Sequence, residues 1–178
     1  MTLSLRATLA AAVLGTVAVA APALAGPTGA SRVSLGFFAS GDCPSCDLSR
    51  QNLLKLTLKP GSNFDRARFV STRIKEIQAD GVRLKSADFS YAVVPNARFI
   101  GALLEDASFR QVNAPNAVFT AAMLDRADFT GAKLPGADLE DAIGLTQDQL
   151  NSACGDDLTR LPEGLTILEG EKTAGTGH

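Results

Sequence analysis

SADFSYAVVPNARFIGALLEDASFRQVNAPNAVFT, residues Ser86 to Thr120, is the stretch on which the fold turns. Its large apolar residues fall at Phe89, Val94, Phe99, Leu104, Phe109 and Phe119, all on one five-residue step. Two positions ahead of each stands a small residue: Ala87, Ala92, Ala97, Ala102, Ala107 and Ala117. Every fifth residue wanders around a helix of 3.6 residues per turn and switches face in a strand of period two, so neither element can bury this row. A chain that turns a corner every five residues can. Each short side then sends its small and its large residue inward, and four such sides close a square coil of twenty residues.

Followed outward, the large row runs from Phe64 to Leu139 over sixteen positions, with only Ala79 and Ala114 small. The partner row, from Ser62 to Ala137, is alanine at eleven of its sixteen positions. A superperiod of twenty is visible on its own account. Phe69, Phe89, Phe109 and Phe129 form one column and Phe64, Leu84, Leu104 and Leu124 another. Pro95, Pro115 and Pro135 also recur at twenty, followed by Asn96, Asn116 and Gly136. Proline fixes the first central φ of a type II turn and Asn or Gly accepts φ > 0 at the second, so one corner of the square is written three times.

SADFS, NARFI, DASFR, NAVFT, RADFT and GADLE, between Ser86 and Glu140, resemble the A(D/N)Lxx pattern of the pentapeptide repeat family. The resemblance runs from Asn63 to Ala142 in one register and more loosely over Cys43 to Leu58. It implies an all-β solenoid, a right-handed quadrilateral β-helix of about five coils with stacked Phe and Leu inside. Strands about 4.8 Å apart give a rod roughly 24 Å long. Burying each large residue contributes about 1.5–3 kcal/mol. Because each coil touches only its neighbours, both ends need covers.

The rod sets the expected division of the 178-residue chain: a leader over 1–25, an N-terminal cap over 26–42, the β-helix over 43–143, a C-terminal cap over 144–168 and a disordered tail over 169–178. In the leader, Arg6 precedes an apolar run from Ala7 to Ala20, and Ala23-Leu24-Ala25 precedes Gly26, the order of a secretory signal peptide cleaved after Ala25. A periplasmic or secreted protein follows, without membrane attachment once the leader is gone. In the C-terminal cap, Thr146 is placed as the N-cap of a short helix, Gln149 completes a capping box, Leu145 and Leu150 stand in staple positions, and Gly155 is a stop.

Cys43-Pro44-Ser45-Cys46 brings two cysteines to one β-turn, whose ends lie within disulfide reach. Counting back from Leu58 through Leu53 and Leu48 makes Cys43 a large-row position and Cys46 the small position of the next side, one residue out of phase with Phe64 onward. The slip is absorbed near Lys59-Pro60-Gly61. In an oxidising compartment the expectation is a structural disulfide clasping the first corner. Thioredoxin-type chemistry needs a βαβ setting, haem attachment needs His where Asp47 stands, and zinc needs two further ligands where only Cys154 remains. The state of Cys154 is open at this stage.

The one histidine is the last residue and tryptophan is absent, which removes the commonest proton-transfer side chain from the body of the chain. A filled rod leaves no catalytic cleft. No enzyme activity, catalytic residue, cofactor or metal is expected. A formal charge of −2 without a basic stripe excludes a nucleic-acid binder. The function that follows is an exported structural or protein-interaction module with an unidentified protein partner, homodimerisation being open. The residues just ahead of the large row on one wall read Asn63, Arg83, Leu103 and Met123, so Leu103 and Met123 form the expected interaction patch, extended by Leu145 or other cap residues. The resemblance also implies an alternative, an acidic DNA mimic that inhibits a gyrase-type topoisomerase. Near neutrality and the mixed row Arg68, Asp88, Ser108, Asp128 rank it second.

Overall fold

The computed structural model describes residues 42–170, together with the backbone of two short strands ahead of them, β1 (Val33–Ser34) and β2 (Phe37–Ala39). The leader over 1–25, most of the N-terminal cap over 26–42 and the tail beyond Gly170 lie outside the described residues. The remaining regular elements are β3 (Asn52–Leu53), β4 (Leu56–Leu58), β5 (Arg73–Ile74), β6 (Ile77–Gln78), α1 (Gln147–Leu150), β7 (Cys154–Gly155) and β8 (Leu168–Glu169). All strand pairing is parallel, in the orders β1-β3-β5, β2-β4-β6 and β7-β8. Between β6 and α1 the ladder continues as single bridges, each joining residues twenty apart: Asn63 to Arg83 to Leu103 to Met123 to Ile143 on the first wall. The second wall carries Arg68, Asp88, Ser108 and Asp128, the third Arg73, Val93, Asn113 and Lys133, and the fourth Gln78, Arg98, Val118 and Asp138.

Two residues of every five are buried, as the row pattern requires. Phe64, Leu84, Leu104 and Leu124 fill the first wall; Phe69, Phe89, Phe109 and Phe129 the second; Ile74, Val94, Ala114 and Leu134 the third; Ala79, Phe99, Phe119 and Leu139 the fourth. The small row, from Ala67 through Ala137, is equally buried. In the second column the rings stack nearly parallel, at 4.5 Å for Phe69 and Phe89, 5.2 Å for Phe89 and Phe109, and 5.1 Å for Phe109 and Phe129. These spacings follow the rise between parallel strands, so the backbone ladder dictates the ring stack. Across the section, Phe99 and Phe119 of the fourth wall meet the second column edge to face, at 5.5 to 6.0 Å. Such pairs add about 0.5–1.5 kcal/mol each beyond area burial.

Corners follow one scheme. At most corners the N–H of the small residue donates to the carbonyl of the preceding large one, as from Ala87 to Leu84 at 3.0 Å and from Ala107 to Leu104 at 3.0 Å. The second turn residue has φ > 0, at Asn96 (54°), Asn116 (56°) and Gly136 (66°) as the Pro-Asn and Pro-Gly signature predicts. The same conformation is imposed on residues that disfavour it, including Arg66, Tyr91, Ala121 and Arg126. At three of them the N–H groups explain why: Arg66 donates to Lys85 O at 2.8 Å, Tyr91 to Arg110 O at 2.9 Å and Ala121 to Asp141 O at 3.1 Å, which ties these corners to the next rung.

The phase slip falls where the sequence places it. Leu53 pairs with Ile74, a step of twenty-one, and the turn after Leu58 is displaced by one residue, closing from Ser62 N–H to Lys59 O at 3.0 Å around Gly61. β1 and β2 pair with β3 and β4 and prolong the ladder ahead of Cys43.

At the other end, Gln149 Oε1 accepts the Thr146 backbone N–H at 2.8 Å, as the capping box requires, and Gln149 Nε2 donates to Leu124 O and Ala127 O at 2.7 and 2.8 Å. Leu150 is fully buried against the core and Leu145 is half-buried on it. Two expectations are corrected here. Gly155 does not stop the helix, which ends at Leu150 with Asn151 as C-cap. Burial of Leu150 and a turn from Ala153 N–H to Leu150 O return the chain to the third wall, where Cys154 joins Lys133. Gly155 is needed for close approach instead, since a Cβ there would meet Thr159 Oγ1 at 2.5 Å. The disordered tail was expected from residue 169, yet Glu169 belongs to β8, paired with Gly155, and Gly170 N–H donates to Gly155 O at 2.7 Å. These backbone bonds hold the chain through Gly170.

Candidate interaction wall

Leu103 and Met123 are vertical neighbours, as their spacing of twenty predicts. Met123 N–H donates to Ala102 O at 3.0 Å and Leu104 N–H to Met123 O at 2.9 Å, which fixes their side chains on the outer face of one wall, both half-buried. The column does not continue into Leu145, which turns toward the core. It continues into Ile143, bridged to Met123 and 50% exposed. The signal for Ile143 was present in the sequence, one further step of twenty, but it lies past the last large-row residue. Arg83 below this stripe is bonded to Asp65 at 2.6 Å. Tyr91, 61% exposed, stands alone on a different corner.

Elsewhere the outer walls carry charge in opposed pairs. Lys85 meets Glu105 at 2.6 Å, Arg98 meets Asp80 at 2.8 Å, Arg110 meets Asp128 at 2.9 Å, and Arg126 holds Asp106 through two bonds at 2.7 and 2.8 Å. The hydrogen bond and charge of Arg126 hold the Asp106 carboxyl below its usual range. Pairing of this kind neutralises the faces locally and breaks any continuous row of carboxylates that would imitate a phosphate ladder. Two shallow depressions lie on the outside, one lined by Asp47, Ser49, Arg50, Arg68 and Val70 and another by residues that include Pro44, Asp65, Arg66, Lys85 and Asp106. Among the described residues no group of three or more His, Cys, Asp or Glu is placed to hold a metal ion, and no helix is long and apolar enough to cross a membrane.

Cys43 and Cys46 end one turn around Pro44 and Ser45, with Cys46 N–H donating to Cys43 O at 3.3 Å and Ser45 at φ 60°. Both are half-buried against the core and stand as free thiols, so the expected bond between them is not made in this structure. Burial, followed by the hydrogen bond and charge of Cys43, pushes the Cys46 thiol up to about 12. Cys154 is the third free thiol, half-buried on the third wall at the far end of the ladder.

The family model described as pentapeptide repeats (8 copies) matches residues 83–113 and 102–141. No curated protein sequence matches the chain at a significant level. Among solved structures, HetL, a pentapeptide repeat protein involved in heterocyst differentiation regulation from Nostoc sp. strain PCC 7120, aligns at 18% identity over 75% of this chain and 72% of its own, with a TM-score of 0.33. A pentapeptide repeat protein from the thylakoid lumen of Arabidopsis thaliana aligns at 26% identity over 65% and 78%, TM-score 0.30. A trypsin-treated form of QnrB1, a plasmid-mediated fluoroquinolone resistance protein, aligns at 16% identity over 76% and 90%, TM-score 0.34. Pentapeptide repeat proteins fold as right-handed quadrilateral β-helices and are generally structural or interaction proteins. Residues 83–141, through which the four buried columns run, are similar to pentapeptide repeats.

Proposed function

We propose that this is an exported, non-enzymatic module that binds a protein partner through its first wall, with Leu103, Met123 and Ile143 as the contact. The observation that carries the reading is the stacked apolar column on the outside of a rod whose interior is filled. Side chains held by a rigid ladder lose little freedom on binding, which favours contact through a flat wall. The rod is read as about five coils from Cys43 to Ala142, closed by α1 as its C-terminal cap. Export rests on the leader pattern over residues 1–25, and export favours oxidation of Cys43 and Cys46 to a disulfide that clasps the first corner. Mass spectrometry of protein recovered from the cell envelope tests both, by an N-terminus at Gly26 and a Cys43–Cys46 linkage.

Crosslinking and pull-down of the mature protein from the cell envelope tests the wall. Leu103→Glu with Met123→Glu is expected to lose the captured partner while leaving the fold intact by circular dichroism. Capture unchanged by the double variant sinks the wall as the contact. The DNA-mimic alternative lacks an observation in its favour, and inhibition of gyrase supercoiling by stoichiometric protein would be needed to revive it.

A further inference from the structure

The near-neutral total conceals a strongly polarised rod. Between Asp42 and Lys85 the chain carries nine Lys and Arg against five Asp and Glu, whereas between Asp138 and Gly170 it carries one basic residue, Arg160, against eight acidic ones. Arg160 is itself engaged by Asp138 and Glu140. At the C-terminal end Asp141, Asp148, Asp156, Asp157, Glu163 and Glu169 are exposed without an ion-pair partner among the described residues. Two exposed leucines, Leu158 at 73% and Leu168 at 56%, stand among them. On the first rungs Arg50, Lys59, Arg66, Arg68, Arg73 and Lys75 are likewise exposed and without an ion-pair partner among the described residues. In the intervening coils Arg110 pairs with Asp128 and Arg126 with Asp106, while Arg98 and Glu105 pair with Asp80 and Lys85 of the first coils.

We infer that the acidic C-terminal end of one copy docks on the basic first coils of a second copy, so that the protein associates with itself head to tail. Charge complementarity selects this occupant, because the surface that fits the acidic end is present on the same chain. The opposite arrangement, end to end through two acidic caps, sets like charges against each other and is disfavoured. With the two poles a few rungs of about 4.8 Å apart, each pole is sensed separately once the screening length falls to about 8 Å at physiological salt. The contact is heterologous, leaving one acidic and one basic pole unsatisfied at the ends of every oligomer, so association is open-ended. It uses a surface other than the Leu103–Met123–Ile143 column, and the two stand or fall separately.

Sedimentation velocity of the full chain over a concentration series tests it at low and high salt. Wild-type protein is expected to form a ladder of oligomers in about 20 mM NaCl, with apparent affinity falling at least about tenfold by 500 mM. A cap variant (Asp141→Asn, Asp148→Asn, Asp157→Asn, Glu163→Gln) and a head variant (Arg50→Gln, Arg68→Gln, Arg73→Gln, Lys75→Gln) should each be monomeric. Mixed, they should form a one-to-one complex and nothing larger, since each retains the pole that the other lacks. Circular dichroism identifies any variant that misfolds, in which case the salt dependence and charge reversal of Asp157 and Glu163 to Lys decide. Monomeric wild type at low salt, association indifferent to salt, or a head variant that still dimerises would each overturn the inference. Wild type that stays monomeric but binds polylysine would reassign the acidic end to a basic partner.

Discussion

Phe109 sits at the centre of the aromatic core, so its removal measures what the stack contributes. It stacks on Phe89 at 5.2 Å and Phe129 at 5.1 Å, and meets Phe99 and Phe119 edge-on at 5.8 and 5.6 Å. Phe→Ala in a core costs about 3–5 kcal/mol, and the flanking rings are held by a backbone ladder that limits collapse into the space. Losing four ring pairs as well places Phe109→Ala at the upper end, about 5 kcal/mol. Phe69 has one stacked neighbour, Phe89 at 4.5 Å, so Phe69→Ala should cost about 3 kcal/mol. Equilibrium urea unfolding followed by circular dichroism reads both against wild type. A solenoid is held by nearest-neighbour contacts, so the Phe109 variant should also broaden the transition or split it, as the halves uncouple. Equal costs at the two positions, or less than about 1.5 kcal/mol at Phe109, would refute a stability carried by stacked aromatic rungs.

Other consequences follow from the corners and the C-terminal end. Ala121, held at φ 56°, carries left-handed strain that glycine lacks, so Ala121→Gly should raise the melting temperature, by the equivalent of up to about 1 kcal/mol. Gly101→Ala, at φ 62°, should lower it, and a change of the opposite sign in either would contradict the corner geometry. The backbone N–H of Gly136, at 2.7 Å, leads the contacts that hold the Asp156 carboxyl below its usual range, and Leu158 and Thr159 add to it. Its stabilising contribution is therefore present above the unfolded carboxyl pKa near 3.9 and is lost as pH falls through the lower folded value. Asp156→Asn should flatten the acid limb of melting temperature against pH below about pH 4, and an unaltered limb would remove Asp156 from acid unfolding.

Much of the architecture could be read from spacing because an inward row at five, and a column at twenty, admits few chain paths. The Phe69 to Phe129 column, the Pro95, Pro115 and Pro135 corner and the slip near Pro60 all stand where periodicity put them. Part of the candidate wall was equally legible, since Leu103 and Met123 must be neighbours once the period is twenty. Ile143 escaped because the periodic signal stops at Leu139, and only the bridge to Met123 assigns it a place. Gly155 was misread because a glycine near a helix end resembles a stop signal, while its reason for being there, the nearness of Thr159, lies in tertiary contact.

By itself, then, the sequence determined which residues face inward and how many make one turn of the coil, because burial of apolar side chains is set by their order along the chain. Tertiary structure decided the rest. It forced φ > 0 on Arg66, Tyr91 and Ala121, residues with no turn signature of their own, because their N–H groups had to meet carbonyls one rung away. It also sorted the charges into those neutralised by a neighbour and those left without one, a distinction that depends on which rungs stack and that no linear count reveals.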